Sequence, residues 1–187
     1  MSSQALPFVL ATLLLGAASA SPAGGMGGQL MAQITLTGGC AVAGAESRGA
    51  SGAPVGTLNF GVQPASFTGV LLSGPTVGEA GTTQIVCSPD VSAMSVSVNA
   101  GNNPGQGASV GAGTRAMRLG SSYLPYEVYS DAAMTNAYPI NGGVVGISLT
   151  ANGGAFALPV FGRVHKTHGG AIAPGTYVDT LQVTLSW

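Results

Sequence analysis

The stretch Pro174-Gly175-Thr176-Tyr177-Val178-Asp179-Thr180-Leu181-Gln182-Val183-Thr184-Leu185-Ser186-Trp187 decides how this chain folds. A turn dipeptide opens it and a near-strict alternation follows. Tyr177, Leu181, Val183, Leu185 and Trp187 share one parity, while Thr176, Thr180, Gln182, Thr184 and Ser186 share the other. A period of two marks a strand that buries one face. The reading is one long strand over residues 177–187. Such a strand needs a neighbour, supplied by an earlier segment or by another molecule.

A second stretch follows the same rule. In Gln29-Leu30-Met31-Ala32-Gln33-Ile34-Thr35-Leu36-Thr37, the residues Leu30, Ala32, Ile34 and Leu36 share a face. Gln29, Gln33, Thr35 and Thr37 take the other, with Met31 as the exception. Pro22 and four glycines precede it as a flexible leader. Gly38-Gly39 closes it just before Cys40. Two readings stay open: an internal first strand of the chain's own sheet, or a strand donated to a neighbouring molecule.

Between these stretches, strands are expected near 57–60, 70–72, 82–87, 94–99, 116–119, 124–129, 144–150 and 156–164. Loops such as Gly101-Asn102-Asn103-Pro104-Gly105 and Asn141-Gly142-Gly143 separate them. Gly and Asn tolerate positive φ there and Pro fixes it. Short strands at such spacing, without a sustained helical period, predict an all-β sandwich. At 187 residues the chain is long enough for one domain with a real core. Only 6% of residues are charged, against about 25% in an ordinary soluble domain. The net charge is −1 and the five Lys and Arg are scattered, so no footprint for nucleic acid is present.

Residues 1–20 read as a secretory signal. The apolar run over 5–18 centres on Leu13-Leu14-Leu15, and Ala18-Ser19-Ala20 is a small-x-small cleavage site. The first residues lack Lys and Arg, and the competing reading is a buried N-terminal helix. The run is too short for a membrane span. Cys40 and Cys87 are the two cysteines. In an exported chain they are expected to form one disulfide, stabilising the fold by about 4 kcal/mol on the chain-entropy model. A metal pair is disfavoured because there is no Cys-x-x-Cys.

Catalytic chemistry finds little support. His165 and His168 flank Lys166 and read as polar residues on a Gly-rich loop, without the third ligand a metal would need. No Gly-x-Ser-x-Gly elbow occurs. Glu127 and Asp131 read as surface or turn residues rather than a glycosidase pair. The glycine stretches lack the Lys-Ser/Thr of a phosphate loop. The expectation is a protein that is not an enzyme, with no catalytic residue, metal or cofactor.

The sequence resembles the spore coat protein U domain, and in particular the pilins of archaic chaperone–usher systems. The landmarks are Gly39-Cys40-Ala41-Val42, Gly56-Thr57-Leu58-Asn59-Phe60-Gly61, Ile85-Val86-Cys87, and Tyr126-Glu127-Val128-Tyr129-Ser130-Asp131-Ala132 with Thr135-Asn136. Pro159-Val160-Phe161-Gly162 and Pro174-Gly175-Thr176-Tyr177-Val178-Asp179-Thr180 follow. Met134, Trp187 and the glycine-rich loop over 101–114 depart from the family's habits.

The resemblance implies an incomplete immunoglobulin-like β-sandwich completed by a donated strand. On it, 1–20 are a signal peptide, 21–38 the leader and donor strand, and 39–187 the pilin domain. Leu30, Ala32, Ile34 and Leu36 would be the donated side chains. Tyr177, Leu181, Val183, Leu185 and Trp187 would line the acceptor groove and C-terminal strand. The implied partners are a periplasmic pilus chaperone, an outer-membrane usher and neighbouring pilin subunits in a homo- or hetero-polymer. The implied place is the cell surface, reached through the periplasm, in a pilus supporting adhesion and biofilm formation. The alternative is a secreted coat or surface-binding module that does not polymerise.

Overall fold

The computed structural model describes residues 29, 31–43, 55–77, 81–149 and 154–187. The chain divides into two compact units, Met1–Thr35 and Leu36–Trp187. In the first unit the described residues are exposed and belong to no helix or strand. The expected signal at 1–20 and Leu30 lie outside the described residues.

The second unit is all-β among its described residues. Its strands are β1 (Cys40–Val42), β2 (Thr57–Leu58), β3 (Gly69–Ser73), β4 (Pro75–Val77), β5 (Gly81–Thr82), β6 (Gln84–Cys87) and β7 (Ala93–Val98). Then come β8 (Gly111–Ala112), β9 (Arg115–Leu119), β10 (Ser122–Tyr129), β11 (Val145–Ser148), β12 (Ala155–Ala157), β13 (Phe161–Lys166) and β14 (Val183–Ser186). The main sheet runs β3-β13-β10-β9, with β8 also on β13. Smaller sheets run β11-β7-β14, β1-β6-β12 and β2-β4-β5. The ladders are antiparallel throughout.

Alternation places the core. Ile85 and Cys87 of β6, and Met94, Val96 and Val98 of β7, turn inward on one parity. They meet Leu124, Tyr126 and Val128 of β10 and Val164 of β13 in one apolar cluster. β10 is buried on both faces from Leu124 to Tyr129, the pattern of a central strand.

The disulfide expected from composition is present: Cys40 and Cys87 are bonded and sit opposite each other in the β1–β6 ladder. β1 itself lies where the alternating N-terminal run was expected to have ended.

Two long strands of the sequence reading are each broken in two, for the same reason. The segment 156–164 pairs with β6 through β12 and with β10 and β3 through β13. Leu158 and Val160, both buried, carry it across between sheets. The segment 177–187 likewise begins against β9, where Val178 and Arg118 exchange backbone bonds of 3.2 and 2.9 Å. Only β14 is a regular strand, with Val183 opposite Val98 and Leu185 opposite Val96. Strands that change sheets turn the corners of a sandwich, and alternation continues through the crossing.

The expected 82–87 strand is also divided at Thr83, whose N–H bonds Pro75 O at 3.2 Å.

Candidate functional site

An apolar groove of about 830 Å³ opens into the core. Its floor is the centre of the main sheet, where Leu124, Tyr126 and Val164 lie. One wall is the segment 55–65, and the other is 172–181 with Val183. The first wall rests on β13. A Cβ on Gly162 would lie 2.7 Å from the Phe60 ring and 3.1 Å from Leu58, so only glycine leaves room for both. The second wall stands over β9. Gly175, with φ +141°, lets the chain turn there, and a Cβ on it would meet Leu119 at 2.7 Å. The Phe60 and Tyr126 rings, 6.4 Å apart, line wall and floor.

Three polar side chains at the site, those of Tyr126, Tyr177 and Asp179, are hydrogen-bonded within the protein. Tyr126 donates its hydroxyl to Asp179 at 2.8 Å. Asp179 also accepts the N–H groups of Asn102 and Thr180, each at 2.9 Å. Tyr177 donates to Ala173 O at 3.0 Å. These bonds give the Gly-x-Tyr-x-Asp-Thr landmark a structural meaning: the Tyr177 and Asp179 side chains fix the second wall, and the Thr180 N–H joins through Asp179. Burial, then the bond to Asp179, push the Tyr126 hydroxyl pKa far above its ordinary value. The groove therefore offers a mainly apolar surface.

Of the residues expected to face the groove, Tyr177, Leu181 and Val183 line it. Leu185 packs against the core cluster. Trp187 is 52% exposed, with its indole beside Gly39. Of the expected donor face, Ala32, Ile34 and Leu36 are exposed, Ile34 at 81% and Leu36 at 83%. The first wall was not anticipated as part of the site. Its signal was the alternation of Leu58 and Phe60 between Gly56 and Gly61.

Several polar residues differ from expectation. Glu127 is buried, not a surface or turn residue. It bonds Arg115 Nη1 at 3.0 Å and Thr114 Oγ1 at 2.7 Å. Arg115, fully buried, also donates to Val98 O, Asn99 O and Tyr138 O. Burial lowers the Arg115 pKa, and Glu127 beside it acts in the opposite direction. Asp131 does sit in a turn, where it accepts the N–H groups of Thr135 and Asn136. The Thr135 N–H above all holds its carboxyl below the usual range. His165 lies within β13, opposite Val70, rather than in a loop. Among the described residues no three His, Cys, Asp or Glu side chains form a metal-binding group. No described helix is long and apolar enough to cross a membrane.

The Spore Coat Protein U domain family matches residues 27–184. No curated protein matches the sequence. Thirteen solved chains match it. One belongs to the crystal structure of the CsuC–CsuE chaperone–tip adhesion subunit pre-assembly complex, from archaic chaperone-usher Csu pili of Acinetobacter baumannii. The identity is 23% and the TM-score 0.45, over 82% of this chain and 41% of that one. This chain thus spans less than half the length of that solved chain.

Proposed function

The chain belongs to the Spore Coat Protein U domain family, and from that premise we propose that it is a structural subunit of a surface pilus built by the chaperone–usher pathway. Subunits join by donor-strand exchange, and the fibre supports adhesion and biofilm formation. The observation that carries this reading is the apolar groove open to the core. The same chain exposes Ile34 and Leu36 on one parity of an unpaired segment. An open core and a bare apolar edge invite strand addition, which satisfies backbone bonds and covers apolar surface together.

On this reading residues 1–20 are removed on export, 21–38 carry the donor strand, and 39–187 form the acceptor domain. Leu30, Ala32, Ile34 and Leu36 enter a neighbour's groove, each large side chain contributing about 1.5–3 kcal/mol on full burial. Leu181 and Val183 receive them, with Tyr177 at the same wall. A periplasmic chaperone fills the groove first. The outer-membrane usher then exchanges it for the next subunit.

The test is Ile34→Asp. A carboxylate in a neighbour's core costs several kcal/mol to bury ionised, yet position 34 is open in the free chain. The variant is expected to fold and to enter a chaperone complex on gel filtration, while surface fibres vanish under the electron microscope. Loss of the folded monomer would instead make residues 30–36 an internal strand. Unaltered fibres would refute strand exchange through this segment.

A further inference from the structure

We propose that Lys166 closes one end of the groove and so fixes how far a donated strand of a second copy can slide along it. The inference rests on the strand-accepting reading of the groove and adds a register stop to it.

Lys166 ends β13 and is 1% exposed. Among the described residues its ammonium meets no carboxylate. It donates to His168 O at 2.5 Å and to Gly170 O at 2.8 Å, and lies 5.5 Å from the centre of the Phe67 ring. Both carbonyls belong to the loop that leads into the second wall, and Phe67 follows the first. Between them the walls are joined directly: Ile172 N–H donates to Ala65 O at 3.1 Å. The loop is also held from beneath, since Thr167 and His168 both donate to Val110 O. At the other end the walls pair apart, Thr57 with Thr76 of β4 and Val183 with Val98 of β7. The groove is latched at one end and parted at the other.

A buried cation is a poor means of adding stability. An apolar side chain of like length would fill the space without the loss of hydration. What the ammonium does supply is position. Three directed contacts fix the loop, the Phe67 ring and hence the Ala65–Ile172 bond in one arrangement. A slip of one residue would turn the donated apolar face outward, but a slip of two keeps the same parity, so parity alone does not choose among those registers and a blocked end does.

The experiment uses the full chain carrying Ile34→Asp, so that its own arm does not compete, and synthetic peptides copying residues 29–38. Two further peptides carry a Val-Thr-Val extension, one at each terminus. In an open groove either extension adds contact and tightens binding. With the latch, one extended peptide is expected to bind about tenfold more weakly than the parent peptide and the other at least as well. Lys166→Met is expected to abolish that difference while leaving the parent peptide's affinity unchanged. Phe67→Leu, which removes the ring from beside the ammonium, relaxes it in part and serves if Lys166→Met fails to fold.

Equal treatment of both extensions by the parent chain would overturn the stop. So would a variant that weakens all three peptides alike, since that is the mark of a merely structural role. A folded chain that binds none of the peptides would overturn the strand-accepting groove itself.

Discussion

Residues 30–36 and 181–187 alternate with the same period, yet they end differently. In the second, Val183 and Leu185 find Val98 and Val96 across the β7 ladder and pack on the core. In the first, Ala32, Ile34 and Leu36 stand exposed and outside any strand. Alternation states that one face of a segment seeks burial. It does not state which molecule supplies the cover. Here one segment is covered by its own chain, and the described residues of the other stand exposed.

The sharpest way to break the comparison is to place the same charge in both. Leu185→Asp puts a carboxylate against the core cluster, a cost of several kcal/mol, and is expected to unfold the domain in a thermal melt. Ile34→Asp is expected to leave the melting temperature of the monomer almost unchanged. Similar losses from both would erase the distinction.

Cys40 opens β1 a few residues after the exposed segment. Cys40→Ser removes a bridge between residues 47 apart, a loss of about 4 kcal/mol on the chain-entropy model. Denaturant unfolding under non-reducing conditions measures it. A midpoint that does not move would place the anchor elsewhere.

Alkali should act on the anchored side alone, because residues 29–38 carry no titratable side chain. Tyr138 donates its hydroxyl to Pro159 O at 2.9 Å, and burial raises its pKa to about 12. The folded value lies above the ordinary one near 10. The contribution is therefore whole below pH 10 and is lost as pH rises through about 12; solvent screening brings it below the roughly 2–3 kcal/mol of the full shift. Tyr126, raised further still, adds in the same direction. Stability that stays flat across that range would contradict the burial of both hydroxyls.

The smallest effect is expected at Met31, which has the opposite parity from Ile34 and Leu36. Met31→Gln should leave the yield of fibres within about twofold, since the outer face of a donated strand contributes little apolar burial. A block as complete as that from Ile34→Asp would mean that parity does not govern insertion.

Periodicity made much of this legible. The sandwich class, β7, β9 and the inward parity of 181–185 all follow from a period of two. What periodicity missed has local causes. β4 and β8 are too short to show a period. β12 and β13 read as one strand because their alternation runs on through the crossing at Leu158 and Val160. Glu127 read as a surface or turn residue because charge alone predicts exposure, and Lys166 drew no reading of its own. Their burial depends on Arg115 and Phe67, which the fold brings from elsewhere in the chain. The first wall of the groove was hidden for the same reason: Leu58 and Phe60 gain meaning only once Gly162 is beneath them.

The position of the disulfide has a mechanical consequence. Cys40 is the first residue of β1, and its bond passes directly to Cys87 at the end of β6. A pull on the arm enters the domain at Cys40 and crosses at once to Cys87 through covalent bonds. The loop between them, 47 residues by sequence separation, carries none of that tension. At roughly 3.3–3.6 Å per residue, about 160 Å of chain is withheld from stretching. On the proposed fibre reading, the chain would lengthen by separating arms from grooves or by unfolding the strands beyond Cys87, while the first wall kept its closed length under load.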